Sequence, residues 1–232
     1  MLCEKMTMES TGTDPRRSSG IRGVDWRWLV VLFLLALVPR LVHLLTVKDS
    51  PFFSLLILDP LMYDEWGWAL ARGEGPGGVF FQDPLYAYFL AAVYSVVGHA
   101  TTPVVLIQSL LGAFVPPMLY LATRVAFGRS TAVAAGVVAA LYLPAIYYEG
   151  MILKTALATF LVASWLVLTA WAGRRDKHAW WVVSGFVLGL ACLSRGNLQL
   201  MGPVAAAWVL LEASQRPGQP IGLRSVLVDS SR

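Results

Sequence analysis

The sequence predicts an all-α, polytopic transmembrane helix bundle with an acidic extracytoplasmic loop that carries a short interfacial helix. Three observations predict it. Of 232 residues, 57% are hydrophobic and 14% charged, with a mean hydropathy of +0.63. A soluble domain is nearer half apolar and about a quarter charged. The apolar residues are gathered into runs of membrane-spanning length. The one strongly acidic stretch, residues 48–83, lies between the first and second of these runs. Backbone groups in lipid must be paired within the segment, so these runs are helices. A spanning barrel would instead show short alternating segments. The net charge of +4 does not point to nucleic acid, because most basic residues lie between apolar runs, where they act as topology signals.

Residues 1–26 are polar and read as a disordered cytoplasmic tail. Lys5, Arg16, Arg17, Arg22 and Arg27 precede the first apolar run and argue for a cytoplasmic N-terminus. That run, Trp28 to Val47, is longer than a signal-peptide core and reads as a retained helix. Further segments follow at roughly 84–98, 103–123, 130–148, 151–171, 179–194 and 198–211. Residues 27–211 thus form the membrane domain, of about six or seven segments. Residues 212–232 are a polar tail or the start of a further region. Cys3 and Cys192 have neither metal-type spacing nor a pattern that suggests a disulfide.

If all seven segments cross, Arg124, Arg129 and the run Arg174, Arg175, Asp176, Lys177 and His178 fall outside, against the positive-inside rule. Segment 84–98 is short for a span. If it and 103–123 do not both cross, the downstream orientation reverses. Both basic loops then become cytoplasmic, and Tyr147, Tyr148, Glu149 and Arg195 join the side of the acidic loop. This second arrangement is the expectation.

The acidic loop holds Asp49, Asp59, Asp64, Glu65, Glu74 and Asp83 against Lys48 and Arg72, a net charge of −4. The stretch from Pro60 to Arg72 predicts a short helix, with Pro60 in its first turn. Trp66, Ala69 and Leu70 form an apolar stripe suited to a membrane interface. The run Gly73 to Gly78 then turns the chain back. Asp64 and Glu65 are the sharpest candidates. Beside Tyr63, Trp66 and Trp68 a carboxylate is partly desolvated, which suits a general base. It could equally hold a divalent cation that grips a phosphate, or simply solvate the loop. Asp83, just before Pro84, is either a helix N-cap or part of a site. Glu149 and Lys154 are charges at the edge of apolar helices, where function is common. Arg40 and His43 either snorkel or, for Arg40, meet a phosphate or a loop acid. Arg195 offers the same choice. Together these residues suit transfer from a lipid phosphate donor to a hydroxyl or amine acceptor.

The order of these features resembles the membrane glycosyltransferases that use polyprenyl-phosphate sugars, of GT-C type. The sequence is similar to the protein O-mannosyltransferase and aminoarabinose-transferase superfamily. The likeness runs over about residues 28–211. It is carried by Asp64-Glu65 with Trp68 beyond, Phe81-Gln82-Asp83-Pro84-Leu85-Tyr86, YLATRVAFGR, LPAIYYEG and GFVLGLACLSRGN. It implies a hexosyl or pentosyl transferase in the cell membrane, taking a polyprenyl-phosphate sugar to an extracytoplasmic protein, lipid or glycan acceptor. It places the base at Asp64, supported by Glu65. Trp68, Gln82, Asp83, Tyr148 and Glu149 would line the acceptor and donor site, and Arg40, Lys154 and Arg195 would contact the phosphate. Any divalent cation would sit at Asp64 and Glu149. The chain departs from the family pattern at Trp68, usually Tyr, and at Gln82-Asp83, where Glu or a neighbouring Lys is usual. A family acid near the start of the helix after YYEG is matched by Lys154, and a later family Lys by Arg195. Family members are longer, so the chain reads as an N-terminal portion. A transporter or flippase for an anionic lipid or solute is the alternative, although no internal repeat supports it. A non-catalytic scaffold is a third.

Overall fold

A computed structural model describes residues 25–51, 53, 55–75, 77–173 and 178–214. The expected tail 1–26 therefore lies outside the described residues up to position 24. So do the basic run 174–177 and most of the polar tail 212–232.

The described chain is helical throughout, with no strand among the described residues. Asp25 caps α1 (Trp26–Val47), its carboxylate accepting from the Arg27 backbone N–H at 3.1 Å. The remaining helices are α2 (Asp59–Ala71), α3 (Leu85–Val97), α4 (Thr101–Phe127), α5 (Arg129–Ala140), α6 (Leu143–Glu149), α7 (Thr155–Ala172) and α8 (His178–Ser194). A 3-10 turn, Gly196–Leu200, leads into α9 (Met201–Ser214). Three helices, α1, α4 and α7, are long and apolar enough to cross a membrane. The expected single segment 130–148 is broken. Helices α5 and α6 meet at a 46° bend and pass the same test only together. The cause is Pro144 in the first turn of α6, which has no N–H to donate to the Ala140 carbonyl four residues back and whose ring clashes with it, so the chain breaks at an extended Tyr142 and restarts.

Helix α4 is the centre of the bundle and packs against α1, α5 and α7, with α8 on the far side of α7. Close approach comes from small residues, as it must where lipid offers no hydrophobic drive between helices. Ala36, Ala113 and Ala140 from α1, α4 and α5 meet in one fully buried cluster. A Cβ on Gly136 would lie 2.6 Å from Leu32 of α1.

Helices α2 and α3 form a separate side-by-side pair at one end of the bundle, running in the same direction, with Tyr63 beside Tyr86 and Gly67 beside Leu90. Helix α3 has 13 residues, too few for a span. The core of the pair is aromatic: Tyr63, Trp66, Tyr86 and Tyr94 are buried with Leu90 and with Ile152 from the start of the α7 region. Rings of Tyr63 and Tyr86 meet edge to face at 5.1 Å. Gly67 lets α2 touch α3, since a Cβ there would stand 2.5 Å from the Leu90 side chain. The helix expected over 60–72 is thus present within one residue at each end. Its buried face is Tyr63, Asp64, Trp66 and Gly67, not the stripe through Ala69 and Leu70. It turns inward onto protein because α3 supplies the apolar surface. Leu58 enters α2 at φ 55°, the one non-glycine residue at positive φ among those described, and Gly73 and Gly77 leave it at φ 77° and 75°.

Candidate functional site

The polar side chains fall into three groups. The first is an ion pair sealed inside the bundle. Arg40 on α1 donates from Nε to Glu149 Oε2 at 2.6 Å and from Nη2 to Oε1 at 3.2 Å. Its Nη1 donates to the carbonyl of Ala36 at 2.8 Å. Both side chains are 2–3% exposed. Gly112 on α4 makes the room, because any Cβ there would run into the Glu149 carboxylate. Gln108, one turn earlier on α4, donates to the carbonyls of Glu149 and Met151 at 2.9 and 2.7 Å and accepts from Tyr86. Arg40 therefore does not snorkel to the interface, as one sequence reading had it. A carboxylate 109 positions away holds it inside.

The second group joins the end of the acidic loop to the start of α7 and the end of α8. Lys154 donates to Asp83 Oδ2 at 2.5 Å and to Gln82 Oε1 at 3.2 Å. Asp83 Oδ1 accepts the Gly196 backbone N–H at 2.8 Å. The Tyr63 hydroxyl donates to Gln82 at 3.3 Å, and Gln82 in turn donates to Asp59 at 3.4 Å. Lys154 also lies 5.8 Å from the Tyr63 ring centroid. The N-cap role read for Asp83 is not made at α3, whose N-cap is Pro84 with no side-chain cap bond. Asp83 instead receives the first N–H of the 3-10 turn after α8, which brings a distant backbone donor to the loop. Burial is the largest single influence on the Lys154 ammonium and pulls it down, but the hydrogen bonds and charges of Asp83 and Tyr63 together outweigh it, so its pKa lies above the ordinary lysine value. Burial pushes the Tyr63 hydroxyl up, which keeps it a donor. An open cleft of about 560 Å³ runs beside Asp83, between Phe80–Pro84 and Cys192, Leu193 and Gln199. Arg195 is exposed at the end of α8, next to Gly196.

The third group surrounds Asp64. Its carboxylate accepts the Tyr94 hydroxyl at 2.5 Å on Oδ1 and meets His99 Nε2 at 2.8 Å on Oδ2. Burial, followed by the bond to Asp64, drives the Tyr94 hydroxyl far above the usual tyrosine range, so Tyr94 is a fixed donor. The His99 ring stacks on Trp68 with centroids 4.8 Å apart and planes 7° apart. Glu65, the other half of the acidic pair, is exposed on the opposite face of α2. The pair therefore splits, as adjacent helical positions must.

The structure brings together Gln82, Asp83, Lys154 and the Gly196 turn beside Arg195. It pairs Arg40 with Glu149 and joins Asp64 to Trp68 through His99. Tyr148 is exposed, edge to face on Tyr147 at 5.5 Å. The two acids considered for a cation, Asp64 and Glu149, have separate partners. No group of three or more His, Cys, Asp or Glu suited to a metal ion occurs among the described residues. Tyr94, His99 and Gln108 escaped sequence reasoning, and Tyr63 was read only as an aromatic neighbour of Asp64. For His99 a signal existed: a lone histidine after Gly98, where a helix too short to span returns its chain to the acidic loop.

No curated protein and no solved structure matches the chain. The model of the dolichyl-phosphate-mannose-protein mannosyltransferase family matches residues 81–222. The match takes in Gln82, Asp83, Glu149, Lys154 and Arg195 and begins after Asp64. It covers more than half of the chain, and with the apolar helical bundle it establishes that the protein belongs to this GT-C-type family of polyprenyl-phosphate sugar transferases.

Proposed function

We propose that the protein transfers a sugar from a polyprenyl-phosphate donor to an extracytoplasmic protein, lipid or glycan acceptor. One observation carries the reading. Side chains and backbone donors from the acidic loop, the start of α7 and the end of α8 converge on Asp83 beside an open cleft. Such a meeting of cations, backbone N–H groups and carboxylates at the end of an apolar bundle suits a lipid whose tail lies among the helices and whose phosphate lies at their ends.

The division of labour follows from exposure. Lys154 and Arg195 are the phosphate contacts, where they stabilise the charge that grows on the leaving group. Arg40 is committed to Glu149 and acts as an anchor for α6. Asp64, with its His99 partner, is the basic centre on the acceptor side. The proposed sidedness is supported by the opposite end of the bundle, where Asp25 at the head of α1 meets Arg129 at 3.5 Å and where Arg27 and Arg124 also lie. That basic end suits the cytoplasm and a cytoplasmic N-terminus, which leaves the acidic end outside.

The test is Asp64→Asn in the protein reconstituted in vesicles with a polyprenyl-phosphate sugar. Turnover should fall about 10²–10⁴-fold, the usual contribution of a positioned base. Glu65→Gln, on the exposed face, should leave it unchanged. Full activity of Asp64→Asn would remove Asp64 from the reaction.

A further inference from the structure

Asp64 itself offers little to an incoming acceptor. Its side chain is 10% exposed, and both oxygens are engaged, one by Tyr94 and one by His99. His99 is the open member, with a side chain 41% exposed. It is also the best held. Trp68 covers one face of the ring, Tyr94 meets it edge to face at 5.0 Å and 79°, and Asp64 fixes one nitrogen. Among the charged groups nearby, Arg72 lies 5.4 Å from the Trp68 ring centroid and pairs with Glu74 at 2.6 Å. A carboxylate that already accepts from Tyr94 can serve His99 only as an acceptor. Nε2 is therefore assigned the proton, and Nδ1 keeps its lone pair.

We infer that His99 is the group that takes the acceptor's proton, and that Asp64 is the positioning residue that holds the imidazole in the reactive tautomer. The inference rests on the sugar-transfer reading and deepens it. The acceptor oxygen forms a bond to the anomeric carbon of the donor. The bond from that carbon to the phosphate oxygen breaks, and its electron pair leaves with the polyprenyl phosphate. The acceptor's proton passes to Nδ1. The resulting imidazolium is stabilised by the Asp64 carboxylate across the Nε2–H bond, and the exposed ring then returns the proton to water. A buried carboxylate behind an exposed imidazole is the arrangement by which histidine bases are oriented and their charge is offset. Trp68 restrains the ring plane, so the free nitrogen keeps one direction at little entropic cost.

The experiment compares wild type, His99→Gln, His99→Ala and Asp64→Asn in vesicles. The donors are mannose or glucose linked to dolichyl or undecaprenyl phosphate, and the acceptor is a Ser/Thr peptide. Release of polyprenyl phosphate and kcat, KM and pH profile are read for each. His99→Gln should lose about 100-fold or more in kcat, the usual share of a general base, with donor KM unchanged. It should also lose the acid limb of the pH–rate profile. Added imidazole should restore part of the His99→Ala rate, which also reports that this variant is folded. A His99→Gln protein that keeps both rate and acid limb while Asp64→Asn is inactive overturns the assignment, makes Asp64 the base, and leaves the sugar-transfer reading standing. A wild type that consumes none of these donors overturns both.

Discussion

Two of the Lys/Arg–carboxylate pairs among the described residues are built alike and sealed differently. Arg40–Glu149 and Lys154–Asp83 each join segments far apart in the chain, at 2.6 and 2.5 Å. The side chains of the first are 2–3% exposed, and those of the second are 18% and 22% exposed. The difference separates a sealed latch from a pair open to exchange. A sealed pair can exchange its partner only by opening the bundle. A half-open cation beside a cleft can trade its carboxylate for another anion without moving a helix. Charge in an apolar chain is often functional, yet here the deepest charges tie helices together and the shallower ones lie beside an open cleft.

The sharpest way to break this contrast is to remove one partner of the sealed pair. Arg40→Ala or Glu149→Leu leaves a buried charge without its counter-charge and should cost about 3–5 kcal/mol of stability. Thermal unfolding in detergent measures it, and the double substitution Arg40→Met/Glu149→Leu should recover a large part. A single variant that melts with wild type would show that the pair is not a latch. A smaller effect is expected from Gly112→Ala, whose Cβ meets the Glu149 carboxylate. Forcing the pair apart there should destabilise by about 1–3 kcal/mol, the usual range for overpacking. Smallest in stability is the open pair: Lys154→Gln should lower it by about 1 kcal/mol or less, as for a partly solvated pair. Donor KM should rise instead. The upward-shifted pKa sets the sign of the pH dependence. The Lys154–Asp83 contribution is complete below the unfolded lysine value of about 10.4 and is lost only as pH rises through the higher folded value. No alkaline loss of donor binding traceable to Lys154 should therefore appear below that range, as a Lys154→Arg comparison would show.

Local features of this fold are legible in the sequence, and distant pairings are not. Helix α2 can be read from Pro60 and the glycine run at 73–78, since both act on their own neighbours. The break between α5 and α6 was legible in principle from Pro144 but was masked by the continuous apolarity of 130–148. The buried face of α2 was not legible, because Tyr63 and Asp64 are covered by α3 and not by the bilayer, and apolar periodicity reports only how a helix meets its surroundings. Arg40 announced itself as a charge within an apolar run, but nothing local names a partner at position 149. His99 fell in a short polar link, GHATT, that reads as a turn. Only the packing of α3 alongside α2 carries it to Asp64.

The separation of Arg40 from Glu149 also has a consequence for how the protein is made. Helix α1 reaches the membrane with a cation near its far end, an insertion cost of about 2.5–3.5 kcal/mol where such a charge sits at mid-membrane. Its counter-ion lies 109 residues further on, which at ordinary synthesis rates is roughly 5–20 s later. During that interval Arg40 must borrow water, lipid headgroups or the insertion machinery, and α1 is free to shift in depth. Arrival of α6 ends the interval. Helix α1 is thus made well before its buried charge is fixed in place.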